Sequence, residues 1–123
     1  MSETRNNKCI GIVGSRRRNS QEDFEFLRRY IKSIVKDGDT FVSGGCPKGG
    51  DRFAEIIAKE LGISIRIHYP DWSKGRYAGL ERNTLIARDA DVLIALIAPD
   101  RRGGTEDTIR KFKAMGKTEL QLL

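Results

Sequence analysis

A chain of 123 residues suffices for one α/β domain, residues 1–123, which at this size hides about two thirds of the surface that its unfolded chain exposes. With 33% charged and 38% hydrophobic residues the composition is that of a soluble globular protein, and no apolar stretch nears the roughly 20 residues of a membrane span, the longest being Val92 to Ala98. The formal charge of +6 favours anionic partners without choosing between nucleotide and nucleic acid, and the polar start, Met1 to Lys8, lacks the apolar core of a signal peptide, so a cytoplasmic location is expected.

Lys8 to Val13 is a short apolar run closed by Gly14, which suits a strand buried on both faces. Ser20 and Asp23 have the spacing of a capping box, and Phe24, Leu27, Ile31, Ile34 and Val35 then recur at helical spacing up to a stop at Gly38. Thr40 to Val42 is a second strand. Phe53, Ile56, Ile57 and Leu61 make the apolar stripe of a second helix, ended by Gly62. Ile63 to Tyr69 alternates apolar and polar residues, the period of a strand with one wetter face at a sheet edge, and Pro70 closes it. Gly79 to Arg88 has a helical pattern, Asp91 to Ala98 is the most apolar strand, and Thr105 to Met115 predicts a helix with Ile109 and Phe112 inward. Gly116 hands over to a last strand near Glu119 to Leu122. The alternation predicts a doubly wound, Rossmann-like parallel sheet of five strands with helices on both faces. Strands one and four, the most hydrophobic, belong at its centre, giving the order 3-2-1-4-5 and a crevice where the winding reverses.

Glycine-bearing loops follow the strands: Gly14-Ser15-Arg16, Ser43-Gly44-Gly45 running to Gly49-Gly50-Asp51, Asp71-Trp72 to Gly75, and Arg101-Arg102-Gly103-Gly104-Thr105. In a parallel sheet these strand-to-helix turns share one edge, where glycine lets backbone amides approach a ligand and helix N-termini favour anions. Gly14, Ser15, Gly44, Gly45, Gly103 and Gly104 are therefore candidate phosphate contacts, with Arg16, Lys48 and Arg82 as charges. Arg17 and Arg18 are the weaker members of the arginine run. Asn83 follows Arg82 near the start of its helix. Thr105 reads as a helix N-cap that can also bond a phosphate oxygen, and Asp51 as the cap of the second helix, with a hydrogen bond to a ribose hydroxyl as its second reading. Trp72 has the choice of stacking on a base or packing over the end of strand three. The loops have neither the glycine spacing of the dinucleotide fingerprint nor the ending of a Walker A loop.

The single histidine, His68, reads as structural. Cys9 and Cys46 read as reduced thiols, Cys46 being the one to test for reactivity. Neither cysteine has a partner at metal-ligand spacing, and no metal or cofactor is expected.

Taken in order, Gly14-Ser15-Arg16, Ser43-Gly44-Gly45 with Gly49-Gly50-Asp51-Arg52, Asp71-Trp72 with Gly75, Gly79 with Arg82-Asn83, Asp91 and Gly104-Thr105 resemble the SLOG superfamily, which unites the Lonely Guy proteins, the DNA-processing protein A family and the small YspA-like proteins. Asp71-Trp72 and Gly79-Leu80-Glu81-Arg82-Asn83 most resemble the YspA-like group. The resemblance implies a Rossmann-like domain for nucleotides or nucleotide-derived ligands, often as a homodimer. Lonely Guy proteins release a base from nucleoside 5′-monophosphates with an arginine, matched by Arg82, and a glutamate at the position of Thr108. Asp107, one residue early and so about 100° away around a helix, is the candidate catalytic substitute. Their Pro-Gly-Gly is replaced by Arg101-Arg102-Gly103. The first reading is thus binding or sensing of a nucleotide-derived ligand, and the second is N-glycosidic hydrolysis of nucleoside monophosphates. The third is single-stranded nucleic acid on a basic rim of Arg16 to Arg18, Lys48, Lys74, Arg76, Arg101 and Arg102, ranked last because few of the aromatics, 7% of the chain, fall in loops.

Overall fold

The computed structural model describes residues 7–123, so most of the polar start lies outside it. Five strands, β1 (Cys9–Gly14), β2 (Thr40–Ser43), β3 (Ile65–Ile67), β4 (Val92–Leu96) and β5 (Leu120–Leu122), form one sheet in the order β3-β2-β1-β4-β5. All four pairings are parallel; β1 aligns Ile10 with Phe41 on one side and with Val92 on the other. This is the doubly wound sheet of the expected order. The helices are α1 (Gln21–Ile34), α2 (Gly50–Leu61), α3 (Ala78–Asp89) and α4 (Gly104–Ala114).

Alternation along the central strands divides the core. Ile10 and Ile12 of β1 and Ile94 and Leu96 of β4 pack with Leu27, Ile31, Phe53 and Ile57 of α1 and α2, whereas Val13, Leu93 and Ala95 pack with Ile86, Ala87, Ile109 and Phe112 of α3 and α4. Burying each of the larger side chains among these contributes roughly 1.5–3 kcal/mol relative to exposure, so the two central strands hold both layers together. No helix is long and apolar enough to cross a membrane among the described residues.

Local signals place several ends. Ser20 accepts from the Asp23 amide while the Asp23 carboxylate accepts from the Ser20 amide, a complete capping box on α1. The helix ends at Ile34, short of Gly38, because Val35 is extended and the Lys36 amide is taken by the Asp39 carboxylate at 3.0 Å. Strand β3 is shorter than the alternation predicts: Gly62 adopts φ +69° and Ile63 donates to the Ala58 carbonyl, so the residues after α2 close the helix first. Ile56, assigned to the inward stripe, is exposed.

Two expected caps are corrected. Gly49 (φ +74°) and Gly103 (φ +107°), not Asp51 and Thr105, are the N-cap residues of α2 and α4, and no side chain caps either helix. Positive φ at each entry makes glycine the cap, and Asp51 and Thr105 fall at the second helical position.

At its N-terminus α2 meets β1 backbone to backbone. A Cβ on Gly50 would stand 2.6 Å from the Val13 carbonyl and 2.7 Å from the Gly14 amide nitrogen, and one on Gly14 would stand 2.9 Å from Gly50. Neither backbone can yield without shifting a helix or a central strand. Gly50→Ala is therefore expected to destabilise the fold by about 1–3 kcal/mol, as overpacked cores do, and a urea midpoint equal to that of the wild type would contradict this contact.

Candidate functional site

Strands β1 and β4 are neighbours whose following helices pack on opposite faces, so the turns after them part and leave a crevice at the carboxyl edge of the sheet. Its volume is about 570 Å3, within the range of small-molecule sites. The β1 turn contributes Gly14 to Arg17, the β2 turn Cys46, helix α2 Asp51, helix α3 Arg82, Asn83 and Ile86, and the β4 turn with α4 Arg102 to Thr105 and Thr108.

The arginines differ in what they already hold. Arg18 donates to Asp23 at 2.8 Å and to the Ile97 and Leu123 carbonyls, which pins the β1 turn to the sheet edge and takes it out of the crevice lining. Arg17 spans the two turns to Asp100 at 2.5 Å, and this bond holds the Asp100 carboxyl below its usual range. Arg101, at φ +55°, makes a two-pronged pair with the buried Glu106 at 2.7 and 2.9 Å. Left-handed backbone at a residue with a side chain costs on the order of 1–2 kcal/mol, and the pair with Glu106 holds the turn in it. Arg16 and Arg102 make no side-chain hydrogen bond or ion pair with the described residues, and both line the crevice, one from each turn.

Arg82 and Asn83 form a strut behind them. Arg82 donates through Nη1 to the Gly44 carbonyl and through Nε to Asn83 Oδ1 at 2.9 Å. Buried Asn83 donates through Nδ2 to the Gly104 carbonyl at 3.3 Å and to Asp107 at 3.1 Å. One chain of bonds therefore runs from the β2 turn to the first turn of α4. Helix α3 is anchored at its far end, where Lys117 Nζ donates to the Ala87, Arg88 and Ala90 carbonyls and His68 bonds Asp89 at 2.6 Å, so the single histidine is structural.

Asp51 is the carboxylate of the lining. It is buried, accepts from Ser43 Oγ and the Cys46 amide at 3.2 Å each, and fastens the glycine loop. Burial pushes its carboxyl above the usual range, against the Cys46 amide, the nearby Arg82 charge and Ser43, which act the other way. Both cysteines are free thiols, and burial raises Cys9.

Of the residues singled out in the sequence, Gly14, Ser15, Arg16, Arg82, Asn83, Gly103, Gly104 and Thr105 meet in the crevice. Gly44 stands behind Arg82 as its acceptor, and Gly45 lies under the Tyr69 ring. Lys48 is exposed and Trp72 lies against Gly79; neither lines the crevice. Asp107 is held by Asn83, Arg110 and Lys111 outside it, while Thr108 faces in with its hydroxyl bonded to the Gly104 carbonyl. Arg102 and Thr108, with Val13, Cys46 and Ile86, are lining residues that the sequence does not assign to the nucleotide site, and Asp51 joins them there; the placement of Arg102 directly before Gly103-Gly104 is the signal that marks that arginine.

A crystal structure of the protein TM1055, a structural-genomics target, matches this fold with a TM-score of 0.66 at 20% sequence identity, over 90% of this chain and 71% of that one. The fold is Rossmann-like. No family model matches the chain, and no curated protein does.

A carboxyl with a raised folded pKa binds its proton more tightly in the native state. Its contribution to stability is complete below the unfolded value of about 3.9 and is lost as pH rises through the folded one. Relative to Asp51→Asn, the wild type is expected to lose unfolding free energy as pH climbs from about 4 towards neutrality. Urea midpoints across that range check it, and a wild type that gains on the variant would refute the assignment.

Proposed function

We propose that the crevice binds the phosphate of a nucleotide or nucleotide-derived ligand. The observation that carries this reading is the pair of uncommitted guanidiniums, Arg16 and Arg102, set beside the uncapped N-terminus of α4. The first amides of an α-helix have no carbonyl a turn behind them, and no side chain takes those of Gly104 and Thr105. An oxyanion there gains amide hydrogen bonds, the favourable end of the helix dipole and charge-assisted bonds from arginine. Thr105 adds a hydroxyl with no partner among the described residues, and Val13 and Ile86 give the crevice an apolar floor.

Binding has more support than hydrolysis. The inward position three residues after Thr105 is Thr108, which does not titrate, and Asp107 is committed to Asn83 and Lys111. Asp51, which does line the crevice, has both oxygens occupied.

Calorimetric titration with AMP, ADP-ribose, NAD and cyclic dinucleotides is expected to give at least one micromolar dissociation constant, without release of free base on chromatography. Arg102→Ala and Arg82→Ala are each expected to weaken it by about 1.5–3 kcal/mol, the range of a hydrogen bond to a charged group. Silence across the panel would sink the reading, and base release would transfer it to the hydrolases.

A further inference from the structure

Arg17 lines the crevice from the β1 turn, yet its guanidinium is turned onto Asp100 of the β4 turn, Nη2 to Oδ1, and bonds no other carboxylate among the described residues. The pair lies in the open. Its side chains are 56% and 44% exposed, and an ion pair that water reaches on both sides adds little to stability. Each turn is also closed from within. In the β1 turn the Arg17 amide donates to Ser15 Oγ at 3.1 Å and the Arg18 amide to the Ser15 carbonyl at 3.0 Å, while in the β4 turn the Arg101 amide donates to the Ala98 carbonyl at 3.0 Å. Asp100 Oδ1 further accepts from the Arg102 amide at 3.3 Å, so the carboxylate keeps a donor when the guanidinium leaves it. This sets the pair apart from Arg18, which is bound to two backbone carbonyls, and from Arg101, which is bound to the buried Glu106.

What the pair does provide is a fixed anion beside an anion site. The hydrogen bond from Arg17 holds the Asp100 carboxyl below its usual range, so the carboxylate is charged at neutral pH. It carries a single charge. A phosphate monoester carries about 1.5 to 2 near neutrality and offers three oxygens to the planar fork of arginine, which makes it the stronger acceptor of the two. The guanidinium can pass from one to the other by rotation about its own stem, and its new neighbours are in place: Arg16 precedes it on the same turn, and Arg102 lines the crevice from the other.

We propose that Arg17 is a third phosphate-binding guanidinium of the crevice and that Asp100 is its internal competitor, from which a bound phosphate takes it over. The proposal rests on the phosphate reading of the crevice and adds a threshold to it. An anion has to displace the carboxylate before all three arginines grip it, and a weakly charged oxyanion meets only Arg16 and Arg102.

Magnetic-resonance titration of the full chain with inorganic phosphate at constant ionic strength, followed through the Gly104 and Thr105 amides, tests it. Asp100→Asn keeps an oxygen for the Arg102 amide and removes the charge, and it is expected to tighten phosphate binding roughly 2- to 5-fold, the worth of an exposed ion pair. Arg17→Ala should bind more weakly than the wild type. In its presence the gain should vanish, so that Arg17→Ala combined with Asp100→Asn binds as Arg17→Ala alone does. An Asp100→Asn variant no tighter than the wild type would overturn the proposal. So would a gain of equal size with and without Arg17, which is the field of a lost carboxylate and no competition. Phosphate that moves these amides in the wild type, is weakened by Arg102→Ala and is indifferent to Asp100→Asn would leave the crevice reading standing and remove this one. Binding indifferent to Arg102→Ala, with a gain from Asp100→Asn that needs Arg17, would uphold the exchange and take Arg102 out of the site. No movement in either the wild type or Asp100→Asn would remove both.

Discussion

The contact on which the molecule turns is the meeting of two backbones, Gly14 at the end of β1 and Gly50 at the start of α2. Side chains at either position would push the helix away from the central strand. Because they are absent, the first turn of α2 lies close enough for Asp51 to reach Ser43 and the Cys46 amide, and the glycine loop is drawn over the sheet edge. That loop offers the Gly44 carbonyl to Arg82, and Arg82 positions Asn83. A packing constraint in the core is thus transmitted, one hydrogen bond at a time, to the wall of the crevice.

The electrostatics follow from how much each cation is already engaged. Arg18 stitches the β1 turn to backbone carbonyls and Arg101 holds a left-handed turn through Glu106. Both are consumed by the fold. Arg16, two residues before Arg18, and Arg102, directly after Arg101, are not. Each turn thus divides its arginines between those that shape it and one that faces out of it, which gives the rim its positive field without leaving the turns slack.

Much of this was legible before coordinates. The apolarity of strands one and four placed them at the centre, and with them the winding order and the position of the crevice. The box of Ser20 and Asp23 marked the start of α1 because both partners are local. Two kinds of information stayed hidden. Caps at Asp51 and Thr105 followed from side-chain preference, yet the chain enters both helices through glycines at positive φ, a backbone property that residue preference does not report. Long-range partners were equally invisible: nothing near Arg82 in sequence points to Gly44, and nothing near Trp72 shows that Gly79 will lie beneath it. In sequence Arg102 is one more cation of a basic rim, because its difference from Arg101 depends on which of them Glu106 reaches.

The strut of Arg82 and Asn83 also bears on the entropy of recognition. A pocket made from separate turns ordinarily has to freeze them when a ligand arrives, and that ordering is subtracted from the affinity. Here the β2 turn and the head of α4 are already joined through two adjacent side chains on a helix anchored at its other end. Most of the conformational freedom has been surrendered during folding, and what an anion bound as proposed would still have to immobilise is chiefly the flexible arms of Arg16 and Arg102.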